Sequence, residues 1–108
     1  MCNAFQSSAS HVEVVAAGSV TRVLGIRPGV TSPHEGFLMR LNSACTLTVR
    51  VEVNTDFTGT IPLQPGEGVS VKGEYEYYGL GGVIHWTHRN LRGSHPGGYI
   101  AAGGRVYE

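Results

Sequence analysis

Between residues 45 and 53 the chain alternates with a period of two: Leu47, Val49, Val51 and Val53 fall on one side, Thr46, Thr48, Arg50 and Glu52 on the other. Successive side chains of a strand point to opposite faces, so this pattern predicts a half-buried β-strand. The same period recurs elsewhere. Residues 11–17 alternate, Gly18 interrupts, and Val20, Arg22, Leu24 and Ile26 resume the pattern, as expected of one long strand bent at a glycine. Residues 37–41 predict a second strand, bounded by turn signals at residues 27–29 and 42–43. Residues 69–78 predict a fourth, with Val69, Val71, Gly73, Tyr75 and Tyr77 inward and Ser70, Lys72, Glu74, Glu76 and Tyr78 outward. A glycine-rich connection, residues 79–82, leads to a fifth strand over 83–88. Residues 54–64 lack helical periodicity and read as a loop. Two short β segments, 99–102 and 105–107, flank Gly103-Gly104, a pair suited to a two-residue hairpin turn.

Five strands in this order predict an all-β fold, a small five-stranded OB-like barrel with a C-terminal β-hairpin extension. Residues 11–108 form that single domain, preceded by a flexible, small and polar segment over residues 1–10. A length of 108 residues allows one domain and no more. Sixteen glycines and five prolines fit many tight turns.

Charge narrows the function classes. Eight basic residues balance eight acidic ones, so the basic surplus of a general nucleic-acid binder is missing. No stretch reaches the roughly 20 apolar residues of a membrane span. No signal peptide is visible, which fits either a complete cytosolic chain or a mature one with its leader removed and Met1 added. Cys2 and Cys45 either form one disulfide or, the simpler reading, leave Cys45 as a small, partly buried strand residue. There is no CxxC pair for zinc.

Candidate chemistry concentrates near the fifth strand. His85, His88, His95 and the only Trp, Trp86, fall within eleven residues, and Glu74 and Glu76 lie on the strand expected beside them. Neutral imidazoles bind first-row metals, and a carboxylate completes or orients the shell. The expected donors to a divalent ion such as zinc are therefore His34, His85, His88, His95 and Glu76. As general acids or bases, the candidates are His85, His88, His95 and Glu74. His85 and His88 are three apart, which sets them on opposite faces unless the strand ends or bulges near Thr87. The bland alternative is histidines hydrogen-bonded to backbone and carboxylates on a solvated face. Trp86, Tyr78, Tyr99, Arg89 and Arg92 are the candidate binding surface, as stacking and basic groups.

The runs Gly73-Glu74-Tyr75-Glu76-Tyr77 and Gly81-Gly82-Val83-Ile84-His85-Trp86-Thr87-His88, followed by Arg92-Gly93, His95 and Gly98-Tyr99-Ile100, resemble a family of small bacterial proteins, often made with a signal sequence and described only as a domain of unknown function. The resemblance runs from about residue 14 to 107. It implies an OB-like barrel and an exported, periplasmic setting, and it implies no activity. The chain departs from the family at two places. Relatives carry a His-Asn pair near the end of the third strand, where this chain reads Val51-Glu52-Val53-Asn54, and His-Asp-Pro after the histidine block, where it reads Arg89-Asn90-Leu91. The leading expectation is a non-enzymatic binding module with a histidine- and aromatic-rich surface site, whose partner is a small ligand, a metal, a glycan, an oligonucleotide or a protein. The rivals are a small metal-assisted hydrolase of phosphodiesters or glycans, and a structural subunit of an envelope or other assembly.

Overall fold

A computed structural model describes residues 1–27, 33–42, 45, 47–90, 93 and 96–108. The expectations for the turn at 28–29, for Ser43 and Thr46, and for Arg92 and His95 lie outside the described residues. Two short helices and seven strands follow in the order α1 (Cys2–Gln6), β1 (Val12–Arg27), β2 (His34–Leu41), β3 (Thr48–Asn54), α2 (Thr55–Thr58), β4 (Gly68–Glu76), β5 (Val83–His85), β6 (Tyr99–Ala102) and β7 (Arg105–Tyr107). No helix among the described residues is long and apolar enough to cross a membrane.

The fold is all-β. Its strands run β1-β2-β3-β5-β4, and β4 pairs back onto β1 to close a ring of five. Every pairing is antiparallel except β3 with β5, where Arg50 faces Val83 and Val51 faces Ile84. The β6–β7 hairpin extends from β4 across Gly103 and Gly104, both at positive φ as a two-residue hairpin turn demands.

Glycine 18 is the corner expected from the sequence. There β1 stops pairing with β4 and continues along β2, and a Cβ at this position would run into the Arg40 carbonyl oxygen. Beyond Val20 the alternation fails. Two register shifts, between Val20 and Arg22 and between Val23 and Gly25, rotate the strand and leave Ile26 exposed.

The period-two positions of β3 build the core as expected: Val49, Val51 and Val53 are fully buried with Phe37, Met39, Val71, Tyr75, Ile84 and Ile100. Tyr75 spends its one polar group well, donating its hydroxyl to the Gly81 carbonyl at 2.7 Å. Four expectations need correction. First, β4 ends at Glu76, so Tyr77 is not inward. It is 36% exposed, its N–H donates to Ser10 Oγ at 3.0 Å, and its ring meets Phe5. Second, β5 stops at His85 rather than His88, because Trp86 takes a left-handed φ of 54°. Third, the loop after β3 begins with one helical turn, α2, whose N-cap Asn54 accepts the Asp56 N–H at 3.0 Å. Fourth, Cys45 is not a lone packing residue. It is bonded to Cys2, with Cα atoms 6.2 Å apart. The polar N-terminus folds back because α1 has an apolar side: Ala4 joins the core, and Met1, Cys2 and Phe5 pack against it.

Candidate functional site

Glu74 and Glu76 are two apart on β4, so both side chains stand on its outer face while Tyr75 points inward. On one side β5 sets His85 directly opposite Glu74. On the other side β1 begins at Val12, opposite Tyr75, and His11 immediately before it reaches over the same carboxylates. The neighbouring strands β4 and β5, with the residue before the sequence-distant β1, thus bring two imidazoles against the same two carboxylates.

The geometry is symmetrical. His85 Nε2 lies 3.4 Å from Glu74 Oε2 and 3.4 Å from Glu76 Oε1, and His11 Nδ1 lies 3.4 Å from each of the same two oxygens. Charge-assisted hydrogen bonds are shorter, roughly 2.7–2.9 Å. Adjacent donors around a tetrahedral ion bound at about 2.0–2.1 Å stand roughly 3.3–3.4 Å apart, which is the spacing seen. His85 Nε2 is cut off from solvent and makes no hydrogen bond among the described residues. Its nearest acceptors are the two carboxylates, at ion-pair rather than hydrogen-bond distance. Two carboxylates held this close also want a cation between them, since like charges at such range repel. His11, Glu74 and Glu76 each offer a donor atom within 4.8 Å of the others. The opening is on the His11 side: its side chain is 75% exposed, against 30% for His85 and 19% for Glu74. One imidazole nitrogen and two carboxylate oxygens suit a first-row divalent ion such as zinc, and offer too few oxygens for calcium.

The other edge of His85 faces a second feature. A cavity of about 140 Å³ is lined by His34, Glu52, Asn54, His85, Trp86 and His88. The sequence placed His85 and His88 on one site only if the strand ended near Thr87. The strand ends one residue sooner, and the left-handed Trp86 brings both rings to the same cavity. Thr87 locks this turn: its buried side chain donates to the Glu52 carbonyl at 2.9 Å. His88 is buried, stacks on Phe57 with ring centres 4.1 Å apart, and donates Nδ1–H to its neighbour's carbonyl, Arg89 O, at 2.8 Å. Trp86 is 43% exposed. The Glu52 carboxylate is held between Arg27 and Arg50, at 2.5 and 3.2 Å.

The expected donor set therefore divides. His85 stands 3.4 Å from Glu74 and Glu76. The donors that converge within 4.8 Å among the described residues are His11, Glu74 and Glu76; His34, His85 and His88 fall outside that group and line the cavity. The expected binding surface is also split. Trp86 lines the cavity, Tyr78 is half-buried beneath the Arg50 guanidinium, and Arg89 is paired with Glu108 at 2.6 Å. Tyr99 stands opposite Lys72, one outward position along β4 from Glu74.

Sequence reasoning missed two residues. His11 shares the outward parity of Glu13, but only the β1–β4 register reveals that it meets Glu76. Glu35 has the inward parity of Phe37 and Met39, which was the available signal. It is buried, and Oε1 accepts the Ile61 N–H at 2.8 Å. Burial raises its carboxyl above the ordinary value of 4.5, and the Ile61 hydrogen bond partly opposes the rise.

No curated protein and no solved structure matches this chain. A family model does: it spans residues 1–108, and the chain belongs to DUF3465, a family described as a protein of unknown function.

Proposed function

We propose that this protein is an OB-type module that binds a divalent first-row metal ion, zinc before calcium, between His11, Glu74 and Glu76, with His85 flanking the carboxylates. The ring order β1-β2-β3-β5-β4, closed by β4 on β1, supports the OB-type reading. One observation carries the metal reading: His11, Glu74 and Glu76 each bring a donor atom within 4.8 Å of the others, with His85 Nε2 3.4 Å from both carboxylates. The charges fit as well, since two carboxylates neutralise a dication with both imidazoles neutral. The histidine- and tryptophan-lined cavity beside His85 would admit only a small polar group, the size of about four or five waters.

Calorimetric titration of chelator-treated protein with zinc tests this reading, with calcium as the control. One equivalent of zinc should bind and release protons, and the His85 ring resonances should shift at that equivalence. Glu74→Gln and His11→Ala should each abolish stoichiometric binding. Zinc that binds only in large excess, or binds Glu74→Gln as tightly as the parent, would overturn the proposal.

A further inference from the structure

The cavity of about 140 Å³ beside His85 is polar, yet no lysine or arginine lines it among the described residues, and one carboxylate does. Glu52 and Asn54 are two apart on β3 and share its outer face, and His34 stands opposite Asn54 on β2. Arg27 and Arg50 both contact Oε1 of Glu52, which leaves Oε2 as the second acceptor. Asn54 commits its side-chain oxygen to the Asp56 N–H at 3.0 Å, so its two amide N–H groups are what it offers the cavity. His88 donates Nδ1–H to the Arg89 carbonyl, which makes Nε2 an acceptor in the neutral ring. Half-exposed Trp86 stands at the rim. Its φ of 54° is left-handed, a conformation disfavoured for a bulky side chain and natural for glycine. Glycine would serve the turn alone; a tryptophan kept there is strain of the kind that collects where ligands bind. The indole meets the His88 ring at a steep angle, centres 6.1 Å apart, and His88 is itself stacked on exposed Phe57. The cavity thus has hydrogen-bonding walls of both kinds and a braced aromatic ring at its mouth.

From this we infer that the cavity and Trp86 bind one pyranose ring of an uncharged sugar, with the ring laid on the indole and neighbouring hydroxyls inserted between Glu52, Asn54 and His88. The axial C–H bonds of a pyranose carry slight positive charge and settle on the negative face of an aromatic ring. A sugar hydroxyl both donates and accepts. It can give its hydrogen to Glu52 Oε2, a strong charge-assisted bond, while its oxygen takes an Asn54 N–H. The size suits the hydroxyl-bearing edge of a ring, since the cavity holds the volume of about four or five waters. Charge sets the ligand class. Nucleic acids and other phosphates depend on cations for affinity. The arginines of this region are already committed, Arg27 and Arg50 to Glu52 and Arg89 to Glu108. Glu52 also repels acidic sugars. A neutral ring meets neither obstacle. The sugar site requires no metal ion, so it does not rest on the zinc reading.

Trp86 is the only tryptophan of the chain, so its fluorescence reports on this spot alone. The test titrates the full chain, with chelator present, with the methyl glycosides of glucose, galactose, mannose and N-acetylglucosamine. At least one should shift the emission to the blue and saturate with a Kd on the order of millimolar, as expected of a ligand of about a dozen heavy atoms. Methyl glucuronide and oligothymidylate should leave the emission unchanged. Trp86→Gly suits the left-handed backbone and removes the ring; it should keep the parent's circular dichroism and lose the saturation transfer from protein to sugar seen by NMR with the parent. Asn54→Asp keeps the helix cap and removes both amide donors, and should weaken sugar binding by about fivefold or more. If none of the four glycosides changes the emission at about 100 mM, the inference is overturned. Parent-like sugar binding by Trp86→Gly, or by Asn54→Asp, removes that residue from the site and overturns it as well. A response to oligothymidylate without one to the sugars would assign the surface to single-stranded nucleic acid instead.

Discussion

Replacing Tyr75 with phenylalanine removes one oxygen atom from the centre of the ring. Tyr75 is fully buried, and its hydroxyl donates to the Gly81 carbonyl at 2.7 Å, tying β4 to the turn that leads into β5. The aromatic ring stays, so no large cavity opens. The loss has two parts. A net intramolecular hydrogen bond contributes about 0.5–1.5 kcal/mol, and a buried carbonyl left without its donor costs roughly 1 kcal/mol or more. The expected destabilisation is about 2 kcal/mol. Unfolding entropy of roughly 2 cal/mol/K per residue converts this, for a chain of this size, into a fall in Tm of about 9 °C. Urea unfolding followed by circular dichroism should show the midpoint falling with the slope unchanged. The donors of the proposed site, His11, Glu74 and Glu76, are untouched, so zinc should still bind at one equivalent. A variant within about 0.5 kcal/mol of the parent would refute the reasoning, since it would mean the carbonyl gains an equivalent partner once the hydroxyl is gone.

Two further substitutions probe the interior and the seam beside the site. Glu35 is raised above 4.5 by burial, so the folded protein holds this proton more tightly than the unfolded chain. Its contribution is fully present below about pH 4.5 and is lost as pH rises through the raised value. Glu35→Gln keeps the acceptor for Ile61 without the charge, and should be more stable than the parent at pH 7, with the difference vanishing below pH 4.5; an equal difference at both pH values in urea melts would count against this account. Gly73→Ala would drive a Cβ to 2.5 Å from the His85 carbonyl oxygen and 2.8 Å from Ile84 Cγ2 and Thr87 Cγ2. Overpacking of this kind costs about 1–3 kcal/mol, and because the nearest atom is His85 backbone, the same variant should weaken zinc binding; a neutral result in both assays would show that β5 moves aside freely.

Much of the fold could be read from local pattern. The alternation in β3, the corner at Gly18 and the Gly103-Gly104 hairpin each rest on rules that act within a few residues. What escaped depended on distant pairing or on backbone strain. Tyr77 has inward parity but lies one residue past the end of β4, where Phe5 and Ser10 receive it. The left-handed Trp86 ends β5 early, and nothing in a His-Trp-Thr-His string signals that turn. In the site, Glu74, Glu76 and His85 were legible because β4 and β5 are neighbours in sequence. His11 was not, since its link to Glu74 spans 63 positions. The cysteine pairing escaped for the same reason: 43 residues separate Cys2 from Cys45, and two cysteines alone do not show whether they meet.

The closure of β4 onto β1 also has a consequence in time. The first strand made is the one that finds its second partner late: the hydrogen bond from Tyr77 to Ser10 spans 67 positions. Closing so long a loop loses chain entropy before any contact compensates for it, and folds dominated by such pairings form in milliseconds to seconds rather than microseconds. Until residues near 77 have emerged, one side of β1 is an open strand edge, the kind of surface that recruits other chains. The side chains of the proposed metal site are scattered in the same interval. The nascent chain therefore passes through a stage in which it is prone to association and its proposed site is unassembled, and the two conditions end with the same event.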